Sequence, residues 1–284
     1  MKDLHGRVAA ITGAGSGIGR AVALELTRRG TKVALADIDL LAVQDTAQQC
    51  RQLGGQAVPY GLDVTDRTAV YAFADAVVAE YGKVNVVINN AGVALVATIA
   101  ETRWDDMHWV MDIDFWGMAH GTKAFLPHLI ESGEGHVVNM SSLFGMVGCP
   151  DQGAYCAAKF AVRGFTETLR QELKVDRLPV GVTSVHPGGI RTSLFSNNRG
   201  AADAGDPRKL DEAFRETMAQ TSPERAAKVI VTKAIERGKP RVFIGPDAHA
   251  VNLVQRVVGA RYQELGVPLA RRAKAKALQR GIRL

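Results

Sequence analysis

The stretch Tyr155-Cys156-Ala157-Ala158-Lys159 places a phenol and an amine four residues apart. On a helix, side chains at that spacing share one face. An ordinary phenol titrates near pH ~10 and is a poor base at neutral pH. An ammonium held beside it favours the phenolate. Lowering the Tyr155 pKa by about two to three units would represent roughly 3–4 kcal/mol and bring it toward the working range of a general acid/base. Ser142 lies 13 residues earlier, and its hydroxyl could hold a substrate oxygen beside Tyr155. Ser141 is the competing choice, and adjacent serines can also be simple turn or helix caps. By itself Tyr-x-x-x-Lys is a common chance pattern, so its meaning depends on what surrounds it.

A second chemistry-bearing segment lies near the N-terminus, Thr12-Gly13-Ala14-Gly15-Ser16-Gly17-Ile18-Gly19. It sits between a strand-like run and a helix pattern, the context in which glycines let the backbone approach a pyrophosphate. The free N–H groups and positive dipole end of the following helix suit phosphate, making Gly13, Ser16, Gly17, Ile18 and Gly19 candidate dinucleotide contacts. Asp37 follows Gly17 by 20 residues at the end of the next strand, where a carboxylate can accept from adenosine ribose hydroxyls. It would repel a 2′-phosphate, and no basic residue stands at Ser16 or Ile38. The expected cofactor is therefore NAD rather than NADP, the alternative for Asp37 being a helix cap. The positive nicotinamide of NAD⁺ would add to Lys159 in favouring the Tyr155 phenolate. Asp63-Val64 and Asn89-Asn90-Ala91-Gly92 also fall at carboxyl ends of strands, where such sheets bind ligands. Each is equally compatible with turn chemistry.

These residues need a scaffold, and the chain alternates strand-like with helical runs. Strands are expected at Arg7–Thr12, Lys32–Asp37, Gln56–Gly61, Val84–Ile88, Gly135–Ser141, Val180–His186 and Arg241–Gly245. Helices are expected at Gly17–Arg29, Leu40–Leu53, Arg67–Tyr81, Thr102–Ser132, Ala154–Asp176 and Pro223–Arg237. The continuous apolar strands fit burial on both faces. The pattern predicts an α/β fold, one doubly wound parallel sheet of about seven strands in a single Rossmann-like domain with helices on both faces. The domain would occupy residues 1–247, with a lid loop over 193–222 and a basic helical extension over 248–284. In that extension Val251, Val254, Val257, Val258 and Leu265 fit one helix face.

Composition sets limits. The 284 residues are 46% hydrophobic and 23% charged, which excludes a disordered or fibrous chain. No apolar run is long enough to span a bilayer, and the N-terminus lacks a signal-peptide core. Three cysteines without metal or disulfide spacing fit a reducing cytoplasm. From Gly238 onward the chain carries ten Lys/Arg and two Asp/Glu, leaving a balance of −2 for the rest of a protein whose net charge is +6.

Taken in order, Thr12–Gly19, Asp63, Asn89–Gly92, Ser142, Tyr155/Lys159 and Pro187-Gly188-Gly189-Ile190-Arg191-Thr192 strongly resemble the short-chain dehydrogenase/reductase family over residues 5 to 245. The resemblance implies that Ser142 orients the substrate and Tyr155 exchanges the proton. It implies that Lys159 binds nicotinamide ribose hydroxyls, that Asn90 lies near that ribose, and that Ile190 and Thr192 hold the carboxamide. One position departs: the family usually has Asn where this chain has Asp114. An ionised Asp114 near Lys159 would favour protonated lysine; the alternative is a damaged proton relay. The chain also ends its last strand differently from many bacterial members and adds the basic extension.

Phe144, Val93, Cys149 and Phe195 are the expected substrate contacts. Their mostly apolar character suits a lipophilic secondary alcohol or ketone. Packing is the competing reading for Phe144 and Met146, and core or interface for Trp104, Trp109 and Trp116. His186 reads as structural. Homo-oligomerisation as dimer or tetramer is expected. No nucleic-acid partner is expected, and membrane contact through the tail is the weaker alternative because its apolar stripe (Leu269, Ala273, Ala277, Leu278) is thin. A non-catalytic NAD-binding or interaction protein is the rival to the enzyme reading.

Overall fold

Short apolar runs, buried on both faces except in the two edge strands, form the seven strands of a parallel sheet. A computed structural model of the chain describes residues 1–194, 199, 212 and 219–279, without the side chains of Ala273, Lys276, Ala277 and Leu278. The strands are β1 (Val8–Thr12), β2 (Lys32–Asp37), β3 (Ala57–Gly61), β4 (Val86–Asn89), β5 (Gly135–Met140), β6 (Val180–Pro187) and β7 (Arg241–Ile244). Their order is β3-β2-β1-β4-β5-β6-β7, every pair parallel. The order reverses between β1 and β4, so the loops leaving those two strands diverge and open a crevice at their carboxyl ends.

Period-two alternation sends successive β1 side chains to opposite layers. Ala9 and Ile11 pack with α1 (Gly17–Arg28), α2 (Leu40–Gln52) and the segment that opens with α7 (Pro223–Val229). Val8 and Ala10 pack with α3 (Arg67–Tyr81), α5 (Met118–Glu131) and α6 (Gly153–Val175). Asp39 and Asp66 cap α2 and α3 by accepting from Ala42 N and Ala69 N, both at 3.0 Å. Phe125 and Leu129 are fully buried in the second layer. Removing either side chain should cost about 2–5 kcal/mol.

Two features differ from expectation. The helix expected over Thr102–Ser132 is divided into α4 (Trp104–Met111), a wide π turn (Asp112–Gly117) and α5. Gly117 is pressed so closely on Val64 that a Cβ there would lie 2.6 Å from Val64 Cγ2. The extension forms α8 (Pro246–Val258) and α9 (Tyr262–Gln279), but its apolar positions do not share one face. Val251 packs inward, whereas Val254, Val257 and Leu265 are exposed. Sequence periodicity identifies the helix but carries no information on how little core lies beneath it. Among the described residues no helix is long and apolar enough to cross a membrane.

Candidate active site

The glycine-rich loop leaves β1 beside β4 and is held by backbone contacts. Gly13 has φ +64°, and a Cβ there would lie 2.8 Å from Ala91 Cα. At Gly19 a Cβ would meet Gly13 O at 2.0 Å, so these two positions admit no side chain. Asn90 Nδ2 donates to Thr12 O and Gly13 O, both at 3.1 Å, while Thr12 Oγ1 accepts from Asn90 N and Ala91 N. Asn90 thus ties the two diverging loops together. Ser16 is exposed at the start of α1 and makes no side-chain cap, while Ile18 packs against the core. Asp37 Oδ2 accepts from Gly15 N at 2.8 Å, which anchors the loop and leaves the half-buried carboxylate further lone pairs. Arg20, which sequence reasoning missed, donates to Gly15 O and pairs with Asp45. Its place one residue past the last glycine is the only signal for it. Asp63 Oδ1 accepts from Thr65 N and Thr65 Oγ1, so this exposed carboxylate closes a local turn. Val64 is buried against Gly117.

Across the crevice, β6 ends at Pro187. Gly188 N donates to Ile244 O at 2.8 Å and Gly189 N to Asp247 Oδ2 at 2.6 Å. Asp247 opens α8 immediately after Pro246, a helix-start pattern visible in the sequence but not read there as support for this loop. Ile190 is buried and bridged to Thr221. The Thr192 methyl reaches the glycine loop, lying 3.0 Å from where a Gly17 Cβ would stand.

The catalytic candidates converge between these loops. Tyr155 and Lys159 lie in the first turns of α6, with Lys159 Nζ 5.4 Å from the Tyr155 ring centroid. Ser142 follows β5. Its Oγ accepts from Phe144 N at 3.1 Å, and its side chain is among the groups that act on the Tyr155 phenol. Ser141 instead donates to Lys159 O at 2.9 Å, which removes it from competition. His186 Nδ1 lies 2.8 Å from Ser142 O and Nε2 lies 2.9 Å from Ser184 Oγ. Because a carbonyl only accepts, the proton belongs on Nδ1 and Ser184 donates to Nε2. Burial pushes His186 down to about 4. It is a neutral strut under Ser142, in keeping with the structural expectation.

Asp114 enters from the π turn, its side chain wholly buried. Its Oδ2 is 3.0 Å from Lys159 Nζ, and its Oδ1 accepts from Val93 N at 2.8 Å. Lys159 also donates to Met140 O at 3.3 Å. Gly92 lies beside the pair, where a Cβ would stand 3.2 Å from Asp114 Oδ1 and 3.3 Å from Lys159 Nζ. Burial works against the Lys159 ammonium, but the Asp114 carboxylate reverses this and raises the amine's pKa. Burial raises Asp114 in turn, with Lys159 opposing. The Tyr155 phenol stands raised in the chain by itself, whereas the expected depression included the charge of a bound nicotinamide. Burial raises it, Lys159 pulls it down, and Asp114 pushes it back up. The ammonium acts on the phenol more strongly than its counterion does, and burial outweighs the ammonium.

Phe144 stands edge-on to Tyr155 with ring centroids 6.5 Å apart. Val93 packs with Leu95 and Val110. Cys149 is partly buried, and burial pushes its thiol up to about 12, so it contributes apolar surface rather than a nucleophile. Phe195 lies outside the described residues. Trp104 and Trp116 are 74% and 51% exposed, which places neither in the core. Polar residues beneath the site also went unread: Asn89, Thr122, Asn139 and Thr166 form a buried hydrogen-bonded chain linking β4, β5, α5 and α6.

The arrangement can exchange a proton at one oxygen held by Ser142 and Tyr155, next to a crevice whose glycines leave room for a dinucleotide. Comparison with known proteins gives the family. Residues 7–203 match the family model described as short chain dehydrogenase. SadH of Mycobacterium tuberculosis is 50% identical over 265 residues, covering 93% of this chain and 95% of that protein. Estradiol 17-beta-dehydrogenase 11 of Mus musculus is 31% identical over 258 residues, covering 89% and 86%. The structure of a short chain dehydrogenase/reductase from Burkholderia phymatum in complex with NAD superposes with a TM-score of 0.83 at 30% identity, covering 91% of this chain and 96% of that one. On its sequence, its sheet topology and these matches, the chain belongs to the short chain dehydrogenase family.

Proposed function

We propose that the protein is an NAD-dependent oxidoreductase acting between a lipophilic secondary alcohol and the corresponding ketone, with Tyr155 as the proton-transfer group. The observation that carries this reading is the contiguous buried cluster of Ser142, Tyr155, Lys159 and Asp114. The cradle at Gly13 and Gly19, which any Cβ would fill, fits the pyrophosphate. Asp37 would receive the adenosine ribose, and Ile190 and Thr192 would border the nicotinamide end. When bound, the nicotinamide supplies the hydride donor or acceptor.

The chain's own residues do the rest. Ser142 Oγ, held by Phe144 N and by His186 beneath its carbonyl, orients the substrate oxygen. Tyr155, kept as a neutral phenol by burial, gives its proton to a developing alkoxide and recovers it from an alcohol in reverse. Lys159, anchored by Asp114, presents a fixed positive charge beside that exchange. Phe144, Val93 and Cys149 offer an apolar wall, in line with a mouse relative named for estradiol, whose 17-beta hydroxyl is a secondary alcohol on an apolar skeleton.

Tyr155→Phe tests the reading. Turnover of hydrophobic alcohols with NAD⁺ should fall by about 10²–10⁴-fold, while NADH binding, followed by fluorescence, stays within about twofold of wild type. Unchanged turnover would overturn the assignment. The alternative, a non-catalytic NAD-binding protein, draws on Asp114 occupying the usual Asn position. It would be favoured by NADH binding with no turnover in the wild type.

A further inference from the structure

We propose that the outward face of the α8–α9 extension docks on an anionic lipid surface. The inward face is already committed. Ala248 and Val251 pack with Leu143, Met146 and Val147. Tyr262 Oη accepts from Gly148 N at 3.0 Å, and Lys274 Nζ lies 3.3 Å from Asp151 Oδ1. These contacts orient the two helices against the segment that follows Ser142, so what the other face presents is set by the fold.

The two helices expose apolar and basic side chains together. Leu253, Val257, Leu265 and Leu269 are between 56% and 75% exposed. Arg256, Arg261, Arg271 and Arg272 are exposed around them and make no ion pair among the described residues. Large apolar side chains left in water beside unpaired guanidinium groups are what an interfacial helix buries at the headgroup boundary. Charge selects the occupant. On these helices the exposed Arg256, Arg261, Arg271 and Arg272 stand against one exposed carboxylate, Glu264. Two copies joined through this face would bring like charges together, whereas anionic headgroups neutralise them. Helix periodicity placed Val254, Val257 and Leu265 on one helix face but carried no information on whether that face is covered.

Flotation of the full-length protein with vesicles of phosphatidylcholine, alone or with phosphatidylglycerol, tests the proposal. The wild type should float with the phosphatidylglycerol vesicles at least about tenfold more than with phosphatidylcholine alone, and should be released by high salt. Leu253→Ser/Val257→Ser, which leaves the charge unchanged, and Arg271→Gln/Arg272→Gln should each weaken flotation severalfold. No flotation of the wild type would overturn the proposal. So would undiminished flotation of the serine variant, which would reduce the effect to general adsorption of a basic protein. So would loss of an oligomer by the serine variant, measured by light scattering, without any change in flotation, which would make this face a contact between copies. Flotation is read without turnover, so a failure of the proposed chemistry leaves this test intact.

Discussion

The two sides of the crevice are built on different principles. The glycine loop and Asn90 side is held by side-chain hydrogen bonds to its backbone and by the absence of side-chain volume, with a Cβ at Gly19 meeting Gly13 O at 2.0 Å. The Ser142–Tyr155 side is held by charge, with Asp114 and Lys159 facing each other at 3.0 Å in a space almost closed to solvent. Substitutions on the first side should therefore be sensitive to volume, and those on the second to the sign and balance of charge.

The largest expected effect comes from splitting the buried pair. Lys159→Met leaves Asp114 without its counterion and should cost about 3–5 kcal/mol in urea unfolding. Lys159→Met/Asp114→Leu should recover most of that loss. If the double variant is no more stable than the single one, charge balance is not what governs this side.

A smaller effect is expected beneath Ser142. His186 titrates at about 4 in the fold against about 6.5 in an unfolded chain. Between those values the unfolded state binds the extra proton, so stability is full above about pH 6.5 and falls as pH drops toward 4. The loss from pH 7 to pH 4.5 attributable to this residue should be about 2–3 kcal/mol. It should disappear from the pH dependence of His186→Asn. An unchanged slope in that variant would assign the acid sensitivity elsewhere, for instance to His136, which burial lowers to about 3.

The smallest effect on stability tests volume. Gly19→Ala should cost about 1–3 kcal/mol and weaken NADH binding by about tenfold or more, as the loop shifts from the phosphate position. An alanine tolerated without loss of binding would mean that the cradle is not closed by backbone contact.

The sheet was legible because buried parallel strands write continuous apolar runs, as in Val86–Asn89, and because glycines between β1 and α1 have few other uses. Tyr155, Lys159 and Ser142 were legible through helical spacing and position after a strand. The π turn at Asp112–Gly117 was not, since local propensity favours an unbroken helix there and its contacts with Val64, Val93 and Lys159 are distant in sequence. The opposition of Asp114 to the Lys159 lever was half visible. The residue stands out in the sequence, but the separation and burial that decide its effect on Tyr155 exist only in three dimensions. Asp247 and Tyr262 were missed because their partners, Gly189 and Gly148, are 58 and 114 residues away.

The dependence of the phenol on its charged neighbours is tested most directly by the pH–rate profile of alcohol oxidation in wild type and Asp114→Asn. Removing the carboxylate takes away a charge that raises Tyr155. The apparent pKa of the rising limb should therefore move down. Profiles that superimpose, or a limb that moves to higher pH, would contradict control of the Tyr155 proton by the Asp114–Lys159 pair.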